Sequence, residues 1–142
     1  SRRRHTRYGT VTGVQTCALP IFAGLTQFGV NLTRLPPGAW SAQRHWHTHE
    51  DEFVYVLEGE LVLITDAGEE TLHAGDSAGF RGGEQDGHHL VNRSDRDAVY
   101  LEVGSRIPED GGEYPDLDMV FLGGRYAGGG GSPFRKRDGS PF

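Results

Sequence analysis

Residues 44–60 read RHWHTHEDEFVYVLEGE, and the fold is decided in this stretch. Its second half, Glu52 to Glu58 (EFVYVLE), is almost continuously apolar and rich in β-branched and aromatic residues. Such a run predicts a strand buried on both faces, and Gly59 ends it. Upstream, Gln43 to Thr48 predicts another strand, on which His45 and His47 share a face because residues two apart in a strand point the same way. Working outward, Gln27 to Leu35 alternates roughly between apolar and polar until Pro36-Pro37-Gly38 breaks it. Leu61–Thr65 and Glu70–His73 flank Asp66-Ala67-Gly68-Glu69, a hairpin with a glycine in its turn. Gly75-Asp76 marks a further turn, and His88–Asn92 and Ala98–Val103 flank the polar turn Arg93–Asp97. No window sustains a helical stripe. Short strands with closely spaced turns predict an all-β sandwich or barrel.

The chain has 142 residues, enough for one domain with its own core. No apolar run approaches the length needed to cross a bilayer, and one cysteine cannot build an internal disulfide framework. A cytoplasmic protein with no membrane partner is expected. From Ile107 onward glycines accumulate, at Gly111-Gly112, Gly123-Gly124 and Gly128 to Gly131. Residues 105–142 therefore form a loose C-terminal extension in this reading. Tyr114 to Leu122 (YPDLDMVFL) is expected to pack on the barrel, and the last dozen residues to be mobile.

The opening, residues 1–21, resembles a basic leader but fits another origin. VTGVQTCALPI and SRRRHTR both back-translate, in one frame, to stretches of a common short-read sequencing adapter, with Tyr8 to Thr10 where a sample index would sit. Ser1 to Ile21 are expected to be translated adapter joined to a gene fragment whose own start is missing. Raw reads that continue through codon 22 into genomic flank would remove that expectation. This segment holds four of the chain's 14 basic residues and none of its 20 acidic ones, which leaves a net charge of −10 on the remainder. So acidic a surface disfavours nucleic acid and anionic membranes.

The chemistry lies in the histidines. His45 and His47 can aim two imidazoles at one point, Glu52 follows after a short turn, and period-2 alternation puts His88, Leu90 and Asn92 on one face. Three nitrogens and one carboxylate from neighbouring strands suit a transition metal. The spacing His45-x-His47, Glu52, Gly59 resembles the first motif of the cupin superfamily. Gly75, Gly83, His88 and Asn92 resemble its second motif in order. Arg81 stands where the family pattern has proline, and Glu84 to Gly87 is longer than that pattern, so the loop at the barrel mouth departs from it.

The resemblance covers Gly38 to Asn92, extends through flanking strands to about Gly104, and implies a double-stranded β-helix, or jelly-roll, over residues 22–104. It assigns a divalent metal (Fe, Mn, Ni, Co or Zn) to His45, His47, Glu52 and His88, with about two coordination positions left for water or substrate. Gln43 and Asn92 are candidates for orienting ligands or substrate. His73 reads as an ordinary turn-adjacent histidine, His89 as pointing out of the barrel, and Glu50 and Asp51 as solvated acids; an alternative register pairs His47 with His49, which puts Glu52 at the wrong distance from the pair. Dioxygenase-like or sugar-isomerase-like chemistry on a small oxygen-rich molecule is implied; the alternative is a module that binds or senses a small ligand without turnover. The resemblance also implies a homodimer, for which the outward Phe53, Tyr55 and Leu57 would need cover.

Overall fold

A computed structural model describes residues 15–18, 24–123 and 133–141. Among them every regular element is a strand: β1 (Gln15–Ala18), β2 (Phe28–Leu35), β3 (Trp46–His47), β4 (Glu52–Glu58), β5 (Glu60–Thr65), β6 (Gly68–His73), β7 (Ser77–Phe80), β8 (His89–Val91), β9 (Ala98–Ser105), β10 (Gly112–Tyr114), β11 (Met119–Phe121) and β12 (Phe134–Arg135). They form three antiparallel sheets, ordered β1-β2-β9-β4-β7, β6-β5-β8 and β12-β11-β10-β3. The expected all-β jelly-roll is the architecture found. No helix among the described residues is long and apolar enough to cross a membrane.

The core lies between the first two sheets. Leu35, Val54, Val56, Ala98 and Tyr100 come from one, and Leu61, Leu63, Leu72 and Leu90 from the other. The chain passes between the sheets at Gly59, whose φ of 77° favours glycine and whose Cβ, if present, would lie 2.9 Å from the Asp97 carbonyl. A side chain there would open the turn joining β4 to β5.

β4 corrects one expectation. Val54 and Val56 are buried, but Phe53, Tyr55 and Leu57 are 43%, 37% and 41% exposed. The strand lies between β9 and β7, and only one face of that sheet packs on a second sheet. Apolar composition on both faces does not by itself supply two partners. The strand expected over residues 43–48 is also shorter, reduced to β3 plus an isolated bridge between His45 and His88.

The described residues of the extension carry three short strands. β10 pairs with β3, placing Gly112 opposite His47 and Glu113 opposite Trp46, and β11 and β12 continue the sheet. Gly112 has no room for a Cβ, which would collide with the Trp46 carbonyl and the Phe121 ring. Arg44 fastens the extension from the barrel side: its guanidinium grips Asp116 through Nε and Nη2 at 2.9 and 2.7 Å and also reaches Asp66. Of the last dozen residues, those described include β12 and Arg137, which pairs with Glu113 at 2.9 Å. Of the adapter-like segment only Gln15–Ala18 are described, paired with Asn31 to Arg34 of β2; the rest of 1–21 lies outside the described residues.

Candidate metal centre

Glu52 opens β4 on the inward face it shares with Val54 and Val56. His45 and His88 face each other across the bridge, with both backbone hydrogen bonds made, His45 N to His88 O at 3.3 Å and His88 N to His45 O at 2.9 Å. The His47 ring centroid lies 5.1 Å from that of His45, and that of His88 lies 5.5 Å from it. The four side chains converge: Glu52 Oε2 is 2.9 Å from His88 Nε2, and Oε1 is 3.5 Å from His47 Nε2. His45, His47 and Glu52 each offer a ligand atom within 4.8 Å of the others.

Each imidazole is held from behind. His45 Nδ1 donates to the Gln43 carbonyl at 2.8 Å, His47 Nδ1 to Asp110 at 2.7 Å, and His88 Nδ1 to the Asp86 carbonyl at 3.2 Å. With Nδ1 protonated, the Nε2 lone pairs of His45 and His47 are left to face the cluster, while His88 Nε2 meets the Glu52 carboxylate. Phe80 stacks on His88 with centroids 3.6 Å apart, which fixes that ring's plane. Gln43 thus contributes its carbonyl. Asn92 lies elsewhere: its amide donates to Leu35 O and Arg96 O and its oxygen accepts from Ser94, so it ties a loop to the core.

Two acids were not visible as site residues in the sequence. Asp110, in the extension, holds His47 and also accepts from the backbone N–H groups of His49 and Glu50 at 2.9 and 3.1 Å. Glu50, read as solvated, is 3% exposed and accepts from Ile107 N at 2.8 Å, so it anchors the start of the extension. His47, Glu50 and Asp110 form a second cluster of potential ligand atoms behind the first. Neither acid falls within a spacing motif, and each acquires its partners only when residues some 60 positions apart meet.

Electrostatics follow the geometry. Burial alone would raise the Glu52 carboxyl, but the His88 hydrogen bond and the nearby His47, His45 and His88 charges outweigh it and hold it at about 2. Burial pushes His45 down to about 4 despite the pull of Glu52. Burial would also raise Asp110, but His47 and the His49 and Glu50 amides hold it below its ordinary range. The cluster therefore rests as a carboxylate facing an unprotonated His45 near neutral pH.

The site opens on two cavities that share Glu52, Phe80 and His88. The larger, about 290 Å³, has Asn31, Thr33, Tyr100 and Glu102 on its wall beside His45. The smaller, about 160 Å³, is bordered by Trp46, His47 and the mouth loop with Arg81 and Glu84.

The donor set suits a cation. His47 Nε2 is buried without a hydrogen-bond partner, an orphaned acceptor that a metal ion would satisfy. Asp110 behind His47 is the carboxylate–histidine pairing that orients metal-bound imidazoles.

The model of the Cupin domain matches residues 31–104, just over half of the chain. This chain is a cupin. It is 45% identical to a sugar phosphate isomerase from a cupin superfamily, from Silicibacter pomeroyi, over 92% of its own length and 80% of that protein's, with TM-score 0.84. A proposed sugar phosphate isomerase from Acidithiobacillus ferrooxidans is 28% identical over 77% of this cupin and 69% of that chain, with TM-score 0.73. A proposed oxalate decarboxylase from Thermotoga maritima is 25% identical over 66% and 81% of the two chains, with TM-score 0.58. No curated protein matches the chain.

Proposed function

We propose that this cupin is a metal-dependent isomerase of a phosphorylated sugar or a related α-hydroxycarbonyl compound. The observation that carries the reading is the cluster of His45, His47 and Glu52, with His88 Nε2 on Glu52 Oε2, where His45, Glu52 and His88 border a cavity of about 290 Å³ and His47 borders the smaller one. Support comes from the likeness, at 45% identity, to a protein named as a sugar phosphate isomerase. The three histidines and Glu52 would hold the ion. A bound divalent metal supplies Lewis-acid polarisation of a carbonyl or hydroxyl oxygen. The chain's own contribution is positional: Asp110, the Gln43 carbonyl and the Asp86 carbonyl fix the rings, and Phe80 covers one of them. Arg81, which borders the smaller cavity, is the positive group placed to meet an anionic end of the substrate.

The test is anaerobic reconstitution with Fe(II), Mn(II), Ni(II), Co(II) or Zn(II), followed by a screen of aldose and ketose phosphates, with diketones and catechols as an oxygen-consuming control. Interconversion of a sugar phosphate that is lost in His47→Ala supports the reading. Oxygen uptake with a catechol or diketone replaces it with a dioxygenase. Saturable ligand binding without turnover replaces it with a binding or sensing module.

The same proposal includes a homodimer. Phe53, Tyr55 and Leu57, with Leu32 two strands away, leave an apolar stripe on the outer face of the five-stranded sheet, and a second copy is the cover we assign to it.

A further inference from the structure

We propose that Tyr100 sets substrate specificity: its phenol O–H, on the buried wall of the larger cavity, donates to a sugar hydroxyl other than the two at the reacting carbons. This rests on the isomerase reading. Tyr100 on β9 stands opposite Thr33 on β2, and both border that cavity together with Ser41. Tyr100 and Thr33 are 1% and 3% exposed. Packing alone is served by Phe and Val at such positions, because a buried hydroxyl is costly until it is bonded.

The protons of this group do not all find acceptors within it. The Thr33 and Ser41 side chains both hydrogen-bond the phenol. Ser41 Oγ also accepts from Leu90 N at 3.0 Å, so its own proton is free for the phenol oxygen. Two contacts use two of the three O–H protons whichever way they run. Among the described residues these three hydroxyls have no further acceptor. Burial pushes the phenol up, while Thr33 and Ser41 pull it the other way, as donors to its oxygen do. The proton left over is therefore Tyr100's own, and the cavity is the space open to it.

Position decides what that donor meets. Tyr100 pairs with Val56 on β4, whereas Glu52 pairs with Gly104, four residues farther along β9. Four residues of strand span about 13 Å, and side chains stand roughly perpendicular to their strand. The phenol is thus set apart from an ion held by Glu52, and from the carbons that such an ion would hold. One neutral O–H, whose oxygen already receives two donors, matches a hydroxyl acceptor. A phosphate calls for charge and several donors, which Arg81 offers at the smaller cavity. A site built to hydrogen-bond a substrate hydroxyl discriminates strongly against the analogue that lacks it.

The experiment titrates the full Zn(II)-loaded chain, measured for metal content, with ribitol 5-phosphate and glucitol 6-phosphate in a calorimeter. Single-deoxy forms of the tighter binder follow. The wild type is expected to bind at least one of the two polyol phosphates. Tyr100→Phe keeps the ring and should weaken that binding about 5–100-fold at unchanged metal content. Thr33→Val, which deletes one donor to the phenol oxygen, should fall between the two proteins. One deoxy form should bind wild type and Tyr100→Phe within about twofold of each other, while the remaining forms keep the loss. An equal loss on every deoxy form would mark a packing role and overturn the assignment, as would unweakened binding of the intact polyol by Tyr100→Phe. Inorganic phosphate should bind both proteins alike; weaker phosphate binding in Tyr100→Phe would make the phenol an anion contact and overturn it too. Turnover of the corresponding sugar phosphates on the same preparations separates the two readings. The Tyr100 pattern without turnover keeps the subsite and removes the isomerase. Turnover with neither polyol bound overturns the subsite alone, and a fully loaded wild type that does neither overturns both.

Discussion

One step along each strand separates two different interiors. On β4 the inward face passes from Glu52 to Val54 and Val56, and across the barrel it passes from His88 to Leu90. The apolar end is built from side chains that need only each other. Val56, Leu61 and Ala98 are fully buried there and pack without polar partners. The histidine end is buried nearly as deeply, with His47 at 3% and His88 at 7% exposure, but every ring needs an acceptor behind it. A polar interior is costly unless satisfied, so this end is organised by loops and by the extension rather than by the barrel strands alone.

The largest effect should come from breaking the apolar end. Leu61→Ala removes a fully buried side chain and should cost roughly 2–5 kcal/mol in urea unfolding. In a variant that still folds, metal stoichiometry should be unchanged. If the metal is lost in step with stability, the two ends are not separable.

Acid should act selectively on the histidine end. In the metal-free protein His45 titrates at about 4, against about 6.5 for an unfolded histidine. Between those values the unfolded chain binds the extra proton, so stability is complete above about pH 6.5 and falls as the pH is lowered towards 4, by about 3 kcal/mol. Glu52, held at about 2, adds a further loss only below about pH 4.5. Thermal melts of the metal-free protein from pH 7 to 4 should show the slope, and His45→Gln should flatten it. An unchanged slope in that variant would assign the acid sensitivity to other groups.

Asp110→Asn sharpens the contrast further. It keeps the shape but weakens the grip on His47 Nδ1, and metal affinity should fall about 10–100-fold in competition titrations with a chelator. An equal affinity would mean that the extension only covers the site.

The smallest effect on folding should come from the outer face. Tyr55→Glu touches neither interior and should change monomer stability by about 0.5 kcal/mol or less. Light scattering after size exclusion should nevertheless show a shift from dimer to monomer. A wild type that is monomeric at high concentration would remove the homodimer from the proposal.

Much of the scaffold was legible in local patterns. The apolar run Glu52–Glu58, the hairpin turn at Asp66-Ala67 and the strand ending at Leu35 all appear as strands and turns near their expected bounds. His45, His47, Glu52 and His88 were named as a set by the family resemblance, and alternation alone spoke only for His45 and His47 sharing a face. Asp110 was hidden in a glycine-rich stretch, where composition points to a loose tail. Glu50 was hidden among acids that usually stay in water, although its neighbour Asp51 is exposed as expected. The burial of β4 on two faces was misjudged because apolar residues report what a face tolerates, not what covers it.

Alternation of side chains along short strands, a property of each strand alone, was enough for the sequence to determine an all-β fold and to put His45 and His47 on one face. Which acid stands behind His47, which carboxylate borders the cavity, and which apolar face stays open were decided only by the tertiary structure. These depend on contacts between segments far apart in the chain, and no local period records where such segments will meet.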